Sequence, residues 1–169
     1  MKQLTWVICF LCLLAGQVSA QTSAQTNVQT SSLTTNNDAE KAAVLNVIKQ
    51  TFKAMLTADT VLLKSCFAPG AIMHVVQNQK DSVIVRTSRA TDFIANIGKQ
   101  QPGSLDERSF DEIIYIDREI ATAWAPYTFH RNGVFSHKGI DSFQFVKLKD
   151  GWKIQYLIYN MYQLSLIHI

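Results

Sequence analysis

The sequence has few residues that could cross-link or stiffen a fold, because its 169 residues include only three cysteines and three prolines. Cys9 and Cys12 lie in an apolar stretch near the start, so the rest of the chain carries only Cys66, which has no partner for an internal disulfide. The fold must therefore be held together by its apolar core. Cys66 stands among leucines and a phenylalanine, which favours a small buried apolar residue over a catalytic thiol.

The sequence also lacks the charge patterns and motifs of several function classes. Its formal net charge is +3 and its Lys and Arg residues are scattered without a basic run, which disfavours nucleic-acid binding. It contains no Gly-rich phosphate loop, no nucleophile elbow and no paired-carboxylate pattern. The four side chains that could bind a metal lack paired spacing, so we predict no metal and no cofactor; they are Cys66, His74, His130 and His137.

No apolar run is long enough to cross a membrane, because the run over residues 4–16 falls short of the roughly 20 residues that a spanning helix needs. Lys2 precedes this run, and Val18-Ser19-Ala20 follows it as a small-residue cleavage pattern. These features predict a secretory signal peptide over residues 1–20. We therefore expect an exported protein, periplasmic or extracellular, without stable membrane insertion after cleavage.

Residues 21–37 are almost entirely Gln, Thr, Ser, Asn and Ala, with Val28 and Leu33 as the only larger apolar side chains. Such a segment buries too little apolar surface to offset its chain entropy, so we predict a disordered low-complexity linker. Residues 38–162 have the length of one ordinary domain. A composition that is 47% hydrophobic allows this domain a real core.

The end of the chain has a different origin in our interpretation. Residues 164–169 (LSLIHI) match the translation of a transposase end that is used in DNA library preparation. We therefore predict that residues 163–169 are a tail derived from an adapter, in which case His168 has no role. A genuine apolar tail is the alternative, and re-reading the source DNA with adapters trimmed decides between them.

Three helices are predicted in the domain. The first covers residues 39–57, with Asp38 as its N-cap, because apolar side chains recur there at three- to four-residue spacing; these are Val44, Val47, Ile48, Phe52, Met55 and Leu56. A second short helix begins at the Asp59 cap and ends at Gly70. Residues 88–99 form the third.

The rest of the domain predicts a sheet. Two short β-rich runs, residues 71–77 and 82–87, come before four longer ones that are joined by tight turns: residues 109–116, 120–131, 135–148 and 152–159. Asn132-Gly133 and Asp150-Gly151 have the chemistry of hairpin turns, so the long strands form an antiparallel meander. Pro126 predicts a bulge or bend, because proline cannot donate to a strand ladder.

Helices first and long strands last predict an α+β fold, with N-terminal helices packed on a strongly curved, mainly antiparallel sheet. A bent sheet that helices cover on one face leaves a hollow between the two layers. On a regular strand, alternation places five residues of the third long strand on one face: His137, Gly139, Asp141, Phe143 and Phe145.

Several segments together resemble one family: residues 57–59 (TAD), 66–71 (CFAPGA), 123–129 (AWAPYTF), 136–143 (SHKGIDSF) and 151–154 (GWKI). Over residues 38–158 the chain resembles the nuclear transport factor 2-like superfamily, which includes ketosteroid isomerases and SnoaL-like polyketide cyclases. It is most similar to the bacterial branch called putative lumazine-binding. The resemblance implies a cystatin-like cone fold with an internal pocket, and commonly a homodimer. The branch name is no evidence that this protein binds lumazine.

The resemblance does not extend to the catalytic residues of the isomerases. Thr51 stands where ketosteroid isomerases have an oxyanion-stabilising Tyr, and Val75 stands where they have the carboxylate base. Neither side chain can supply that chemistry, which needs a positioned base and donors aimed at the developing oxyanion. A steroid-isomerase mechanism is therefore not predicted.

The candidate site residues come from two neighbouring strands. His137 and Asp141 are the candidate catalytic residues, with His137 as the proton-transfer group because its ordinary pKa of about 6.5 lies near neutrality. Asp141 is the group that orients it, directly or through a third group. Their alternative role is to stabilise the sheet. The candidate ligand-binding residues combine aromatic rings with one further histidine, a mixture typical of concave sites: Trp124, Tyr127, His130, Phe143 and Phe145.

Three functions remain open from the sequence. The first is an exported domain that binds a small organic molecule in the pocket. The second is a cofactor-independent lyase, isomerase or cyclase that uses His137 and Asp141, so the sequence leaves open whether the protein is an enzyme. The third is a dimeric interaction domain whose interior is filled by side chains. An open pocket favours the first two functions, and we expect a homodimer through the exposed face of the long-stranded sheet.

Overall fold

The computed structural model describes residues 22–79 and 82–162, with side chains from residue 37 onward. The predicted signal peptide and the predicted adapter-derived tail lie outside these ranges. The chain divides into two compact units, residues 1–35 and residues 36–169. In the first unit, the described backbone from Thr22 is helical. The second unit contains the sheet and the candidate site. No helix within the described ranges is both long enough and apolar enough to cross a membrane.

The described residues form three helices: α1 (Thr22–Thr57), α2 (Thr60–Cys66) and α3 (Ala90–Ile97). The predicted start of the first helix is wrong, because residues 22–37 are helical and Asp38 lies inside α1 instead of capping it. The linker prediction considered only the apolar surface that residues 21–37 could bury. Elongation of an existing helix needs no new nucleus, so a polar segment can continue a helix that is anchored elsewhere.

The apolar stripe predicted for α1 faces the core. Val44 and Ile48 have no solvent exposure, and Phe52 and Met55 are also buried. Burial of a side chain of this size contributes roughly 1.5–3 kcal/mol to the free energy of unfolding. Leu56, at the edge of the stripe, is 37% exposed, so the buried stripe is narrower than the sequence pattern suggests.

The second helix begins as predicted and ends earlier. Asp59 caps α2, because its Oδ1 accepts the backbone N–H groups of Val61 and Leu62 at 3.0 and 2.9 Å. The helix ends at Cys66, and the chain continues directly into a strand at Phe67. The residues before a proline favour extended backbone, which explains why Pro69 lies in the strand and not at the helix end.

In the part of the chain that the structure describes, the sheet has seven strands in the order β2-β1-β7-β6-β5-β3, with β4 also paired to β5. All pairs are antiparallel except β1 with β7, which are parallel. The helices cover one face of this curled sheet. The strands are β1 (Phe67–Gln79), β2 (Ser82–Arg89), β3 (Leu105–Ser109), β4 (Ile113–Asp117), β5 (Ile120–Arg131), β6 (Val134–Leu148) and β7 (Gly151–Asn160).

The three last strands confirm most of the predicted meander. β5 has the predicted bounds, and the turn to β6 places Asn132 and Gly133 at φ 52° and 77°, as a type I′ hairpin requires. The prediction of one strand over residues 109–116 is wrong. Two short strands occur instead, and they pair with different halves of β5: β3 with its end, and β4 with its beginning.

Pro126 explains why two short strands, β3 and β4, lie beside β5 in place of one long strand. It lies opposite the gap between β3 and β4, and its carbonyl accepts the N–H of Phe110 at 3.1 Å. On the other side, Pro126 stays in register with Ile140 of β6, and the register shift comes later, between Phe129 and His130. The bulge predicted at Pro126 is therefore misplaced. Because neither β3 nor β4 pairs with Pro126, the missing N–H of the proline breaks no ladder bond.

The sheet has an inner face, which the helices cover, and an outer face. Odd-numbered residues of β5 from Ala121 to Phe129 point inward and are buried. Phe143 of β6 also points inward, and its ring meets Phe52 of α1 at a centroid distance of 6.5 Å. The main core therefore lies between α1 and the inner face.

Candidate functional site

A cavity of about 250 Å³ lies between the inner face of the sheet and helices α1 and α3. Much of its wall is apolar, with Met55 from α1 and Phe93 and Ile97 from α3. The volume is close to the lower end of the range of small-molecule sites, roughly 300–1,000 Å³. The polar side chains that line the cavity are Thr51, Glu107, Tyr127, Arg131, His137, Asp141 and Tyr159.

Asp141 is a buried carboxyl group in this cavity, with 2% of the residue exposed. On β6 it lies between Ala125 of β5 and Tyr159 of β7. Its Oδ2 atom is buried and has no hydrogen-bond partner among the residues that the structure describes. A buried polar atom without a partner costs roughly 1–3 kcal/mol, and more if it is charged. Asp141 is therefore a ready acceptor for a hydrogen-bond donor in the cavity.

Glu107 reaches the same part of the cavity from β3. It points inward because it alternates with Asp106 and Arg108, and it pairs with Phe129 of β5. The carboxyl groups of Glu107 and Asp141 are hydrogen-bonded to each other, so one of them must keep its proton. The site therefore contains a buried carboxyl pair.

The sequence analysis did not predict this pair, because Glu107 and Asp141 are distant in the sequence and form no local pattern. The predicted strand begins at residue 109, so Glu107 lies outside it, whereas the observed strand β3 includes it. One local signal was present: Leu105 and Glu107 stand two residues apart, the spacing of one strand face. That spacing becomes informative only when the neighbouring strand is known.

Burial raises the pKa of both carboxyl groups. The pKa of Glu107 lies well above its ordinary value because of its burial, followed by the charge of Asp141 and the hydrogen bond to it. Burial raises the pKa of Asp141 to about 7, while its hydrogen bond with Glu107 acts in the opposite direction. The two carboxyl groups therefore share a proton. One apolar cavity thus contains an acid and a base in direct contact.

His137 also lines the cavity, where aromatic rings surround it. Its ring stacks on Phe129 at a centroid distance of 4.8 Å and meets the Tyr127 ring edge-on at 5.8 Å. Its Nδ1 lies 3.1 Å from the hydroxyl of Ser136. Burial, and then the charge of Arg131, lower the pKa of His137. The imidazole is therefore neutral at neutral pH and can act as a base or a neutral donor.

His137 and Asp141 share the inner face, as the alternation predicts, but no direct hydrogen bond joins them in the described part of the chain. Four residues along a strand span about 13 Å, which is too far for contact between these side chains. Glu107, from another strand, is the group that contacts Asp141. The catalytic roles of His137 and Asp141 stay predictions.

Tyr127 forms part of the cavity wall beside Glu107 and Asp141. Its hydroxyl donates to the carbonyl of Asn160 at 2.9 Å, so its proton is already used within the protein. Gly139 makes room for this contact, because a Cβ there would lie 2.8 Å from the Tyr127 ring and would collide with the Asn160 carbonyl. The side chain of Asn160 in turn accepts the N–H of Ile140 at 2.9 Å. These contacts connect the end of β7 to both β6 and β5.

The structure brings only one of the five predicted ligand-binding residues to the cavity, namely Tyr127. Phe143 and Phe145 point inward but are buried in the core, where their rings stack at 5.6 Å. Trp124 and His130 are on the outer face, because they are even-numbered residues of β5, and Trp124 is 52% exposed. The bend expected at Pro126 leaves their direction open in the sequence, and the alternation of buried and less buried residues along β5 shows that they point outward.

Thr51 and Cys66 have local structural roles. The hydroxyl of Thr51 lines the cavity but donates to the carbonyl of Val47 within α1 at 2.9 Å. Cys66 is buried, and burial raises the pKa of its thiol. It is therefore a protonated, apolar core residue, as its neighbours in the sequence indicate.

Within residues 22–79 and 82–162, no group of three or more His, Cys, Asp or Glu side chains is placed to hold a metal ion. The absence of a metal and of a cofactor stays a prediction.

A curled, mostly antiparallel sheet whose covering helices enclose a polar-ended cavity defines the nuclear transport factor 2-like class of domains. A family model described as putative lumazine-binding matches residues 39–160. The chain belongs to this family, and the resemblance found in the sequence is confirmed.

Solved structures show the same fold at low sequence identity. A nuclear transport factor 2-like protein with a cystatin-like fold from Novosphingobium aromaticivorans is 12% identical, with a TM-score of 0.62 over 89% of this chain and 95% of that chain. One of unknown function from Shewanella baltica is 16% identical, with a TM-score of 0.55 over 73% and 94%. A putative dehydratase from Streptomyces avermitilis is 14% identical, with a TM-score of 0.58 over 75% and 98%. Comparison with curated proteins gives no match.

Proposed function

We propose that the domain binds a small organic molecule in the cavity between the helices and the inner face of the sheet. The observation that carries this proposal is the buried Oδ2 of Asp141, a hydrogen-bond acceptor that has no partner among the described residues, in an otherwise mainly apolar cavity. Small-molecule sites combine this kind of apolar wall with a few convergent polar groups. The cavity also disfavours the third function left open by the sequence, an interaction domain whose interior is filled.

The binding proposal is tested by a thermal-shift and native mass-spectrometry screen of small aromatic and ketone-bearing metabolites. A ligand held at 100 times its dissociation constant adds about 2.7 kcal/mol to the free energy of unfolding, which such a screen detects. We expect Asp141→Asn to weaken binding of the compounds found. The matched control is Asp106→Asn, a carboxyl to amide change on the outward side of β3. If no compound stabilises the wild-type protein, the interaction-domain function replaces this one.

The buried carboxyl pair favours a second candidate function, a cofactor-independent lyase, isomerase or cyclase. In a dehydration, the Asp141 carboxylate would remove a proton from a carbon next to a carbonyl group. Protonated Glu107 would give its proton to the departing hydroxyl group, so the products would be an alkene and water. The Streptomyces avermitilis relative described as a putative dehydratase has the same fold at 14% identity.

The catalytic function makes a separate prediction for isotope exchange. We expect the wild-type protein to speed the exchange of deuterium from heavy water into the carbon next to the carbonyl of a bound ketone, as followed by proton NMR. Asp141→Asn removes the base and should reduce the rate by about a hundredfold or more, the size of a typical general-base contribution. Asp106→Asn should leave the rate unchanged. Binding of the ketone without deuterium exchange would exclude the catalytic function and leave the binding function.

A further inference from the structure

The charged groups of the cavity are separated along β5. Asp141 pairs with Ala125 near the middle of that strand, whereas Arg131 is the last residue of β5, six positions further on. Both side chains line the same cavity. Asp141 and Arg131 therefore lie toward different ends of the cavity.

Arg131 is exposed to solvent and lines the cavity, so it lies at the opening. Within residues 22–79 and 82–162, no salt bridge joins its guanidinium to an acidic side chain. Its charge nevertheless acts inside the cavity, because it contributes to lowering the pKa of His137. An arginine in this position attracts acidic groups and can bind a carboxylate with two parallel hydrogen bonds.

The part of the cavity near Asp141 prefers hydrogen-bond donors and disfavours acidic groups. The buried Oδ2 of Asp141 has no hydrogen-bond partner among the described residues, so it can accept a hydrogen bond, and the Glu107–Asp141 pair carries up to one negative charge. A hydroxyl group of a ligand can donate to this position. A carboxylate there would face the charge of Asp141 in a cavity that water screens poorly.

We infer that the ligand is a small hydroxy acid, with a hydroxyl group that donates to Asp141 and an acidic group that pairs with Arg131. This inference rests on the proposed function, since it names the chemical class that the same cavity accepts. A neutral alcohol would leave Arg131 unused, and a diacid would place a second charge against Asp141. The aromatic wall, which includes Phe93 and Phe129, adds a preference for a flat apolar body between the two polar ends.

Three probes that differ in one group each test the inference by isothermal titration calorimetry: 4-hydroxyphenylacetate, phenylacetate and methyl 4-hydroxyphenylacetate. We expect 4-hydroxyphenylacetate to bind tightest. Removal of the hydroxyl group, or conversion of the acid to its methyl ester, should each weaken binding by about tenfold or more, because each change removes a hydrogen bond to a charged group.

Paired variants locate the two contacts. Arg131→Gln should abolish the discrimination between the acid and its methyl ester while it leaves the preference for the hydroxyl group. Asp141→Asn should do the reverse. The controls are Arg108→Gln and Asp106→Asn, which change the same residue types outside the cavity, in an ion pair on β3.

The inference is overturned if 4-hydroxyphenylacetate does not bind, if the ester binds as tightly as the acid, or if Arg131→Gln binds all three probes as the wild-type protein does. These outcomes differ from a failure of the proposed function. That proposal fails only if the wider screen finds no compound of any class that stabilises the wild-type protein.

Discussion

At the scale of single residues, two buried carboxyl groups make the chemistry of this domain depend on pH. Glu107 and Asp141 share a proton in a mainly apolar cavity, and burial raises the pKa of both groups. A carboxyl whose pKa is raised by folding binds its proton more tightly in the folded state than in the unfolded state. Its contribution to stability is therefore greatest at low pH and is lost as the pH rises.

The first prediction concerns this pH dependence. Between the ordinary value of 3.8 and about 7, the folded protein keeps a proton on Asp141 that the unfolded chain releases. Each such proton lowers the free energy of unfolding by up to about 1.4 kcal/mol per pH unit as the pH rises through that window. We expect Asp141→Asn to lose less stability than the wild-type protein between about pH 5 and about pH 7.

Urea unfolding curves at several pH values measure this difference. The shift of His137, whose lowered pKa acts in the opposite direction, is common to both proteins and largely cancels in the comparison. The surface carboxyl groups cancel in the same way. Parallel stability curves for the wild-type protein and Asp141→Asn would show that burial of Asp141 is not coupled to a proton.

The second prediction concerns Gly139, which lies between His137 and Asp141 on the inner face. In Gly139→Ala, the new methyl group would collide with the Asn160 carbonyl and press on the Tyr127 ring. We expect a loss of roughly 1–3 kcal/mol in the free energy of unfolding, the usual cost of overpacking. Chemical denaturation measures the loss. Ser142→Ala, on the outward side of the same strand, is the control, and equal stability of the two variants would contradict the predicted collision.

At the scale of the elements, strand pairing decides which side chains meet. Residues of β3 reach the cavity because β3 pairs with the end of β5, while β4 pairs with its beginning. The division at Pro126 separates the two short strands, so Glu107 belongs to the strand that pairs with the end of β5. A single continuous edge strand would have to lose a ladder bond at the proline.

The third prediction tests the start of α2. Asp59→Ala removes both cap hydrogen bonds, to the N–H groups of Val61 and Leu62. We expect a loss of about 1 kcal/mol in the free energy of unfolding, typical for an N-cap aspartate. Asp59→Ser keeps an acceptor at the cap and should recover most of the loss in thermal unfolding. If serine is no better than alanine, the cap bonds do not stabilise the helix.

At the scale of the whole molecule, the outer face carries a patch of exposed apolar side chains. Trp124 lies opposite Ile113 in the pairing of β4 with β5, and both are about half exposed. Tyr115 and Ile120, on the same two strands, are 68% and 63% exposed. We call this set the outer-face patch. Contiguous exposed apolar surface of this kind is typical of interaction surfaces.

The fourth prediction is that two copies of the chain associate through the outer-face patch. Light scattering across the micromolar range should give the mass of a homodimer, because a self-complementary patch favours a twofold interface. Trp124→Lys should shift the protein to a monomer without unfolding it. Val61→Lys, at an exposed apolar position on α2, is the control. A monomeric wild-type protein at every concentration would contradict this prediction.

The fifth prediction is that the chain is exported, and it rests on the charged start, the apolar run and the small-residue cleavage pattern of residues 1–20. Mass spectrometry of protein recovered from outside the cytoplasm should show an N-terminus at Gln21. Replacement of Ala20 by a large residue should block this processing. Recovery of exported material that still begins with Met1 would contradict the predicted cleavage.

Local patterns in the sequence determine much of this fold. The spacing of Val44, Ile48 and Phe52 predicts which face of α1 is buried, and the turn residues Asn132 and Gly133 predict the hairpin between β5 and β6. Alternation also predicts that His137 and Asp141 share a face. These features depend on the conformations of neighbouring residues, which is why one sequence is sufficient to predict them.

Only the tertiary structure decides how the candidate site is assembled. Glu107 meets Asp141 because two strands distant in the sequence pair with the same β5, and the register of that pairing turns Trp124 and His130 outward. A strand pattern with a period of two shows that side chains alternate, but it does not show which neighbour a strand takes or which face the helices cover. Those choices depend on the apolar area that the whole chain buries, so the carboxyl pair becomes visible only in the folded domain.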